Sequence, residues 1–335
     1  MSEILRELVY VSEKAANIAR ACRQQESLFQ LLIEEKKEGE KNKKFITDFK
    51  TLADVLVQEV IKQNMGNKFP GLENHIYGEE SNEFTNELDS TYQYIKGSAD
   101  IKPNRGIFPC GLQCVTILIG VYDRQTGVPL IGVINQPFAS QDVKTLRWKG
   151  QYFWGLSYMD SNIHSLQISS ENGSESTADS QTTKETIREP KFTQDFSAVI
   201  STSEKDSIKS ALSNVCGENV YGAAGAGYKS LCVVQGLVDV YIFSEDTTFK
   251  WDSCAAHAIL KSIGGGMVDL RECLKRNPET GLDLPHLLYN VDNQGVTGID
   301  QWANKGGLIA YRSRQRFDTF LDLLIKNLSL SSTLA

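Results

Sequence analysis

Trp251-Asp252-Ser253-Cys254-Ala255-Ala256-His257-Ala258 sets a carboxylate at the head of a helix built from small residues. Small side chains let a helix lie close against a neighbouring layer, and such packing would fix Asp252 at the helix mouth. Taken alone, an acid at a helix start reads equally as an N-cap. His257, about one turn on, reads as a core histidine. The helix, Ser253 to Ile263, is stopped by Gly264-Gly265-Gly266.

Helices and strands mix on both sides of this segment. Ile4, Leu8, Val11, Ala15 and Ile18 recur at helical spacing, and a second helix runs from Thr51 to Asn64 with Asp54 between apolar neighbours. The charged stretch Glu34 to Lys44 between them reads as an exposed helix end and loop. Gln113 to Tyr122 and Val128 to Asn135 read as strands, with hairpin chemistry at Asp123 to Gly127, and Leu146 to Trp154 reads as another strand. Further on come a strand at Ser197 to Thr202, a helix at Lys205 to Val215, and a helix-then-strand stretch at Leu231 to Phe243. A strand from Gly307 to Tyr311 and a helix from Arg314 to Leu328 close the chain. Mixed elements with hairpins in the first half predict an α/β (α+β) fold of stacked layers, not an all-parallel doubly wound sheet. Ser161 to Phe196 is rich in Ser, Thr, Glu and Asn, and reads as a surface loop or linker. The expected division is 1–160, a linker at 161–196, and 197–335 carrying Asp252.

The 335 residues carry a net charge of −7, with 41% apolar and 23% charged residues. Such a balance argues against a nucleic-acid or membrane-surface binder, which would show a basic excess. No apolar run reaches the roughly 18 residues of a membrane span. Glu3, Arg6 and Glu7 interrupt any signal-peptide core. Seven scattered Cys read as reduced thiols, so a cytoplasmic protein is expected. Cys110 and Cys114 have zinc-like spacing but no second ligand pair, and read as free thiols.

Two further acidic stretches precede Asp252: Gly78-Glu79-Glu80-Ser81 and Asp89-Ser90-Thr91. Carboxylates converging from distant positions are how proteins hold hard divalent cations. Adjacent Glu79 and Glu80 would point to opposite sides of an extended segment, one toward a metal and one toward a water; a solvated acidic turn is the alternative. Asp89-Ser90-Thr91 offers a carboxylate with hydroxyls that suit a phosphate, or a helix cap. Asp54 faces either solvent or a site. Gly222-Ala-Ala-Gly-Ala-Gly-Tyr-Lys229 lacks the third glycine of a dinucleotide fingerprint. It reads better as a backbone loop approaching an anion, with Lys229 supplying charge. Ser203 and Lys205, after the Ser197 strand, could act similarly.

Together these pieces resemble the Mg²⁺-dependent, lithium-sensitive phosphatase superfamily that includes inositol monophosphatase, fructose-1,6-bisphosphatase and the bisphosphate nucleotidases. Its pattern is an Asp in an early helix, Glu-Glu, Asp-Pro-Ile/Leu-Asp-Gly/Ser-Thr, then Trp-Asp-x-x-Ala. Asp54, Glu79-Glu80, Asp89-Ser90-Thr91 and Trp251-Asp252-Ser253-Cys254-Ala255 match it. Thr91-Tyr-Gln-Tyr-Ile-Lys-Gly-Ser-Ala-Asp-Ile101 and Gly222 to Leu231 resemble a branch that acts on inositol polyphosphates. The resemblance implies a layered αβαβα sandwich, a cluster of roughly two or three Mg²⁺ ions, inhibition by Li⁺, and a monomer. It implies release of the 1-phosphate from inositol 1,4-bisphosphate and inositol 1,3,4-trisphosphate. By the same resemblance Glu79, Asp89, Asp252 and the Leu88 carbonyl would be metal ligands. Glu80 and Thr91 would hold the attacking water, and Asp54 would complete the cluster. Asp89, Ser90, Thr91, Ser203, Lys205, Gly225 and Lys229 would contact substrate.

One departure stands out. The family's Asp-Pro-Ile-Asp-Ser-Thr reads Asn86-Glu87-Leu88-Asp89-Ser90-Thr91, so the first Asp is Asn86. The family also places an apolar strand before that Asp, whereas here eight residues separate Glu80 from Asp89, all polar except Phe84 and Leu88. Well-matched flanks point to an abrupt internal deletion. The expectation is two opened sheet edges with exposed core, and weak or absent turnover, with a form that only binds inositol phosphates as the alternative.

Overall fold

The computed structural model describes residues 2–25, 29, 33–36, 49–76, 86–166, 195–275 and 283–333. Helix α1 (Glu3–Gln24) is capped by Ser2, whose hydroxyl accepts from the Leu5 N–H at 3.3 Å. A small antiparallel ribbon, β1 (Ile33–Glu35) and β2 (Phe49–Thr51), leads into α2 (Leu52–Lys68). The start of the charged stretch is therefore a strand; 37–48 lie outside the described residues.

The first sheet is an antiparallel run of β3 (Asn86–Asp89), β4 (Thr116–Tyr122), β5 (Pro129–Gln141), β6 (Trp148–Tyr158) and β7 (Ser161–His164). The short helix α3 (Thr91–Lys96) follows β3. β7 pairs with β6, so the sheet extends into the stretch read as a linker. β3 is an edge strand despite its polar sequence, because β4 supplies a ladder from Asn86 opposite Ile119 to Asp89 opposite Thr116. The expected apolar strand is thus replaced at the edge by four residues whose pairing comes from a neighbour.

The second sheet takes the order β11-β12-β10-β8-β9. It comprises β8 (Ala198–Ile200), β9 (Val220–Gly222), β10 (Val240–Phe243), β11 (Gly266–Asp269) and β12 (Leu308–Tyr311). The helices of this half are α4 (Asp206–Cys216), α5 (Ala226–Val234), α6 (Lys250–Ser262), α7 (Leu270–Leu274) and α8 (Arg314–Thr333).

Strand alternation builds the layers. Ile117 and Ile119 of β4 pack with Leu8 and Val11 of α1 and with Val57 and Ile61 of α2. Leu118, on the opposite face, joins Leu231 of α5 and Ala255 and Ile259 of α6, with Tyr241 and Met267 of the second sheet. Val240 and Ile242 face outward to Leu212 of α4 and to Phe317 and Phe320 of α8. The order is helix, sheet, helix, sheet, helix. A cross-strand row, Gly120, Gly132 and Gly155, lets α6 lie on the first sheet. A Cβ there would stand 2.6 Å from Cys254 Sγ, 1.9 Å from Ala255 O and 2.7 Å from Ile259 Cα, respectively. The close approach expected of the small-residue helix is present. Among the described residues no helix is long and apolar enough to cross a membrane.

Candidate active site

Three carboxylates sit at helix N-termini, where unpaired N–H groups favour negative charge. Asp54 is the third residue of α2. It accepts from the Thr51 N–H, while its own N–H donates to Thr51 Oγ1 at 3.4 Å, a reciprocal capping box. Its other oxygen accepts from Thr91 Oγ1 at 3.2 Å. Asp252 is the third residue of α6, not the cap itself, and accepts from the Phe249 N–H at 2.6 Å.

Asp89, at the end of β3, reaches across to the start of α5. It accepts from the Gly227 N–H at 2.9 Å, the Ala226 N–H at 3.3 Å, and Thr116 Oγ1 at 3.2 Å. Burial pushes its carboxyl up from the usual range, opposed by the Lys229 charge and these donors. The N–H groups that the glycine stretch seemed to offer an anion are thus taken by Asp89. β9 leads into that stretch. Gly225 is its tightest point, with φ 78°. A Cβ there would stand 2.2 Å from Ser90 Oγ, 2.7 Å from Asp89 Oδ2 and 3.1 Å from the Cys114 carbonyl. Ser90 itself has φ 76° and turns the chain from β3 into α3.

Lys229, buried on α5, donates to the Gly225 carbonyl at 2.7 Å and lies 5.2 Å from the Tyr241 ring centroid. Asp54 and Thr91 are therefore joined, and so are Asp89, Ser90, Gly225 and Lys229. Asp252 and Asp89 both bear electrostatically on the buried Tyr241 phenol. Ser203 and Lys205 are exposed at the rim beyond β8, where Lys205 Nζ donates to the Ser244 carbonyl at 3.3 Å. Leu88 pairs with Ile117 in the β3–β4 ladder. Glu79 and Glu80 lie outside the described residues. His257 is a core residue as expected, with Nδ1 3.0 Å from the Tyr289 hydroxyl. All seven cysteines are free thiols, Cys110 and Cys114 among them.

Sequence reasoning missed Thr116, Tyr241 and Glu204. The first two are polar atoms inside apolar strands. Glu204 stands between the two rim candidates and accepts from the Ser244 and Lys205 N–H groups at 3.1 and 2.9 Å.

The gathered donors are carboxylates and hydroxyls, the oxygen chemistry that a hard divalent cation takes. Among the described residues no three Asp, Glu, His or Cys side chains converge on one point.

The sequence model of the inositol monophosphatase family matches residues 4–316. Inositol polyphosphate 1-phosphatase of Homo sapiens is 64% identical over 402 aligned positions, covering 99% of this chain and all of that protein. The Mus musculus protein of the same name is 61% identical, covering all of both chains. A staphylococcal IMPase-I complexed with products superposes with a TM-score of 0.56 at 12% identity, over 96% of this chain and 95% of that one. This likeness bears on the fold alone. An alignment of 402 positions against 335 residues leaves at least 67 positions of the human relative without a counterpart. Family match, layered fold and full-length identity agree: the chain belongs to the inositol monophosphatase family.

Proposed function

We propose that this chain is a phosphoric monoester hydrolase of inositol phosphate metabolism that removes the 1-phosphate of inositol 1,4-bisphosphate and inositol 1,3,4-trisphosphate. The observation that carries the reading is the joining of Asp89, Ser90, Gly225 and Lys229 across 136 to 140 residues of chain, in a protein 64% identical to inositol polyphosphate 1-phosphatase. Glu79, Asp89, Asp252 and the Leu88 carbonyl would hold two or three Mg²⁺ ions, the site at which Li⁺ would inhibit. Bound Mg²⁺ supplies positive charge for the phosphoryl and leaving oxygens and acidifies water.

The residues of the chain do the rest. Thr91 gives its proton to Asp54, at 3.2 Å, so its lone pairs face outward as an acceptor. A water donating to Thr91 and to Glu80 is held with its own lone pair free for in-line attack. Ser90 and Lys229 supply a hydroxyl and a charge to the phosphate, and Ser203 and Lys205 reach the far side of a polyphosphate from the rim. Asn86 stands where the family has a carboxylate, and an amide oxygen brings no negative charge to a cation. Turnover is accordingly expected below that of a chain carrying Asp there. Such a protein works as a monomer in the cytoplasm.

Phosphorus NMR of inositol 1,4-bisphosphate incubated with the purified chain and Mg²⁺ tests the reading. Loss of the 1-phosphate signal with the 4-phosphate retained is expected. Attack on the 4-phosphate, or on a 3′-phosphonucleotide in preference, would overturn the substrate; no release at all would leave a binder of inositol phosphates.

A further inference from the structure

β9, β8 and β10 lie side by side and run parallel, with Ala198 opposite both Val220 and Val240. The loops that leave the carboxyl ends of parallel strands are where such sheets gather ligand-binding groups. Here β9 opens into the glycine stretch with Gly225 and Lys229, and β8 into the turn from Ser201 to Lys205. β10 opens into Ser244 and runs on to Asp252. In the middle turn Ser203 and Lys205 are exposed, while Glu204 between them is 3% exposed. A carboxylate is seldom buried so fully unless donors match it.

Ser244 supplies most of the match. Its N–H donates to Glu204 Oε2 at 3.1 Å, and its hydroxyl donates to Oε1. Oε1 also accepts from the Lys205 N–H at 2.9 Å. The Ser244 carbonyl in turn accepts from Lys205 Nζ at 3.3 Å. The Glu204 N–H closes the turn on the Ser201 carbonyl at 3.1 Å. One buried carboxylate thus ties the end of β8 to the end of β10, and fixes the residue on which the Lys205 ammonium rests. A neutral amide cannot do the same. Gln offers one acceptor oxygen to three donors, and its NH₂ would face N–H and O–H groups.

We infer that Glu204 is a positioning residue that sets affinity for the phosphate an inositol polyphosphate keeps, by holding Ser203 and Lys205 in the arrangement that meets it. This rests on the phosphatase reading, in which those two side chains reach the far side of the substrate, and deepens it by naming what aims them. A contact far from the reacting phosphate is made equally in the ground state and the transition state. Its loss therefore raises KM and leaves kcat in place.

The test is Glu204→Gln, read by kcat and KM for inositol 1,4-bisphosphate, by calorimetric binding of inositol 4-phosphate, and by Mg²⁺ titration and thermal unfolding. Inositol 4-phosphate carries the retained phosphate alone. Expected are a KM and an inositol 4-phosphate Kd each raised about 10-fold, the scale of one charge-assisted hydrogen bond, with kcat and Mg²⁺ affinity unchanged. Lys205→Ala should raise KM as well, and Glu204→Gln added to it should raise KM little further, because residues acting through one another are not additive. Ser244→Ala, which takes away one donor and leaves the carboxylate, gives the same readings in milder form should Glu204→Gln fail to fold. A lower melting temperature with KM and inositol 4-phosphate affinity unchanged would make Glu204 a tie between strands and overturn the inference. So would a fall in kcat at constant KM, additive effects in the double variant, or a wild-type chain that does not bind inositol 4-phosphate. Inositol 4-phosphate binding that weakens in the variant, in a protein that releases no phosphate, would fell the phosphatase reading and leave this one standing.

Discussion

Gly225→Ala perturbs the junction on which the site rests. With φ 78° and ψ 131°, Gly225 holds a backbone conformation closed to alanine at a cost of about 1–3 kcal/mol. The added Cβ would also stand 2.2 Å from Ser90 Oγ and 2.7 Å from Asp89 Oδ2, so Asp89 must retreat by about 1 Å to reach ordinary contact. That retreat stretches its 2.9 Å and 3.3 Å bonds to the α5 N–H groups. A hydrogen bond to a charged group contributes about 1.5–3 kcal/mol, so the total loss is about 2.5–6 kcal/mol. A 1 Å misplacement of a reacting group costs about 100-fold in rate. Gly217→Ala is the matched control, because Gly217 has φ 58° with nothing within 4 Å of its added Cβ. It should show the backbone cost alone. Urea unfolding and Mg²⁺-dependent phosphate release on both variants decide the matter. Equal destabilisation by the two substitutions, or full turnover in Gly225→Ala, would refute the reasoning.

Thr116→Val removes the hydroxyl 3.2 Å from the buried Asp89 carboxylate, and should lower stability by about 1.5–3 kcal/mol and reduce turnover, measured by the same unfolding and release assays. Burial drives His257 well below the ordinary imidazole range, and it stacks on His286, which burial also lowers. The unfolded chain therefore binds more protons below about pH 6.5, so stability falls as pH drops through that value, by up to about 1.4 kcal/mol per pH unit for each histidine. His257→Gln should flatten that fall in unfolding experiments between pH 7 and pH 5. Inserting an apolar strand ahead of Leu88 and restoring Asp at position 86 should raise both melting temperature and turnover. It would restore the carboxylate that Asn86 replaces and cover the edge at which β3 pairs with β4.

Local patterns carried a good part of this molecule. The helix bearing Asp54 and the helix after Trp251 are marked by the spacing and size of their own side chains, and the Gly120, Gly132 and Gly155 row accounts for the close packing that small residues imply. What local sequence could not carry are bonds made at a distance. Asp89 takes its donors from Gly227, 138 residues on, and Thr116, 27 residues on. Thr116 is one polar atom in an apolar strand, and only the facing layer reveals that atom's use. The strand at Asn86 to Asp89 has no strand-like sequence, and forms because β4 offers it a ladder. The strand at Ser161 to His164 was hidden likewise in a polar stretch that β6 pairs. Asp252 read as a helix mouth and lies in the first turn of α6 as its third residue, held there by the Phe249 N–H, where the sequence also allowed the cap itself.

The most direct test is the initial rate of phosphate release from inositol 1,4-bisphosphate as Mg²⁺ is raised from zero, for the chain as it stands and for Asp89→Asn. The account predicts a saturable rise with Mg²⁺ that Asp89→Asn abolishes. A rate indifferent to Mg²⁺, or one that survives in Asp89→Asn, would contradict it.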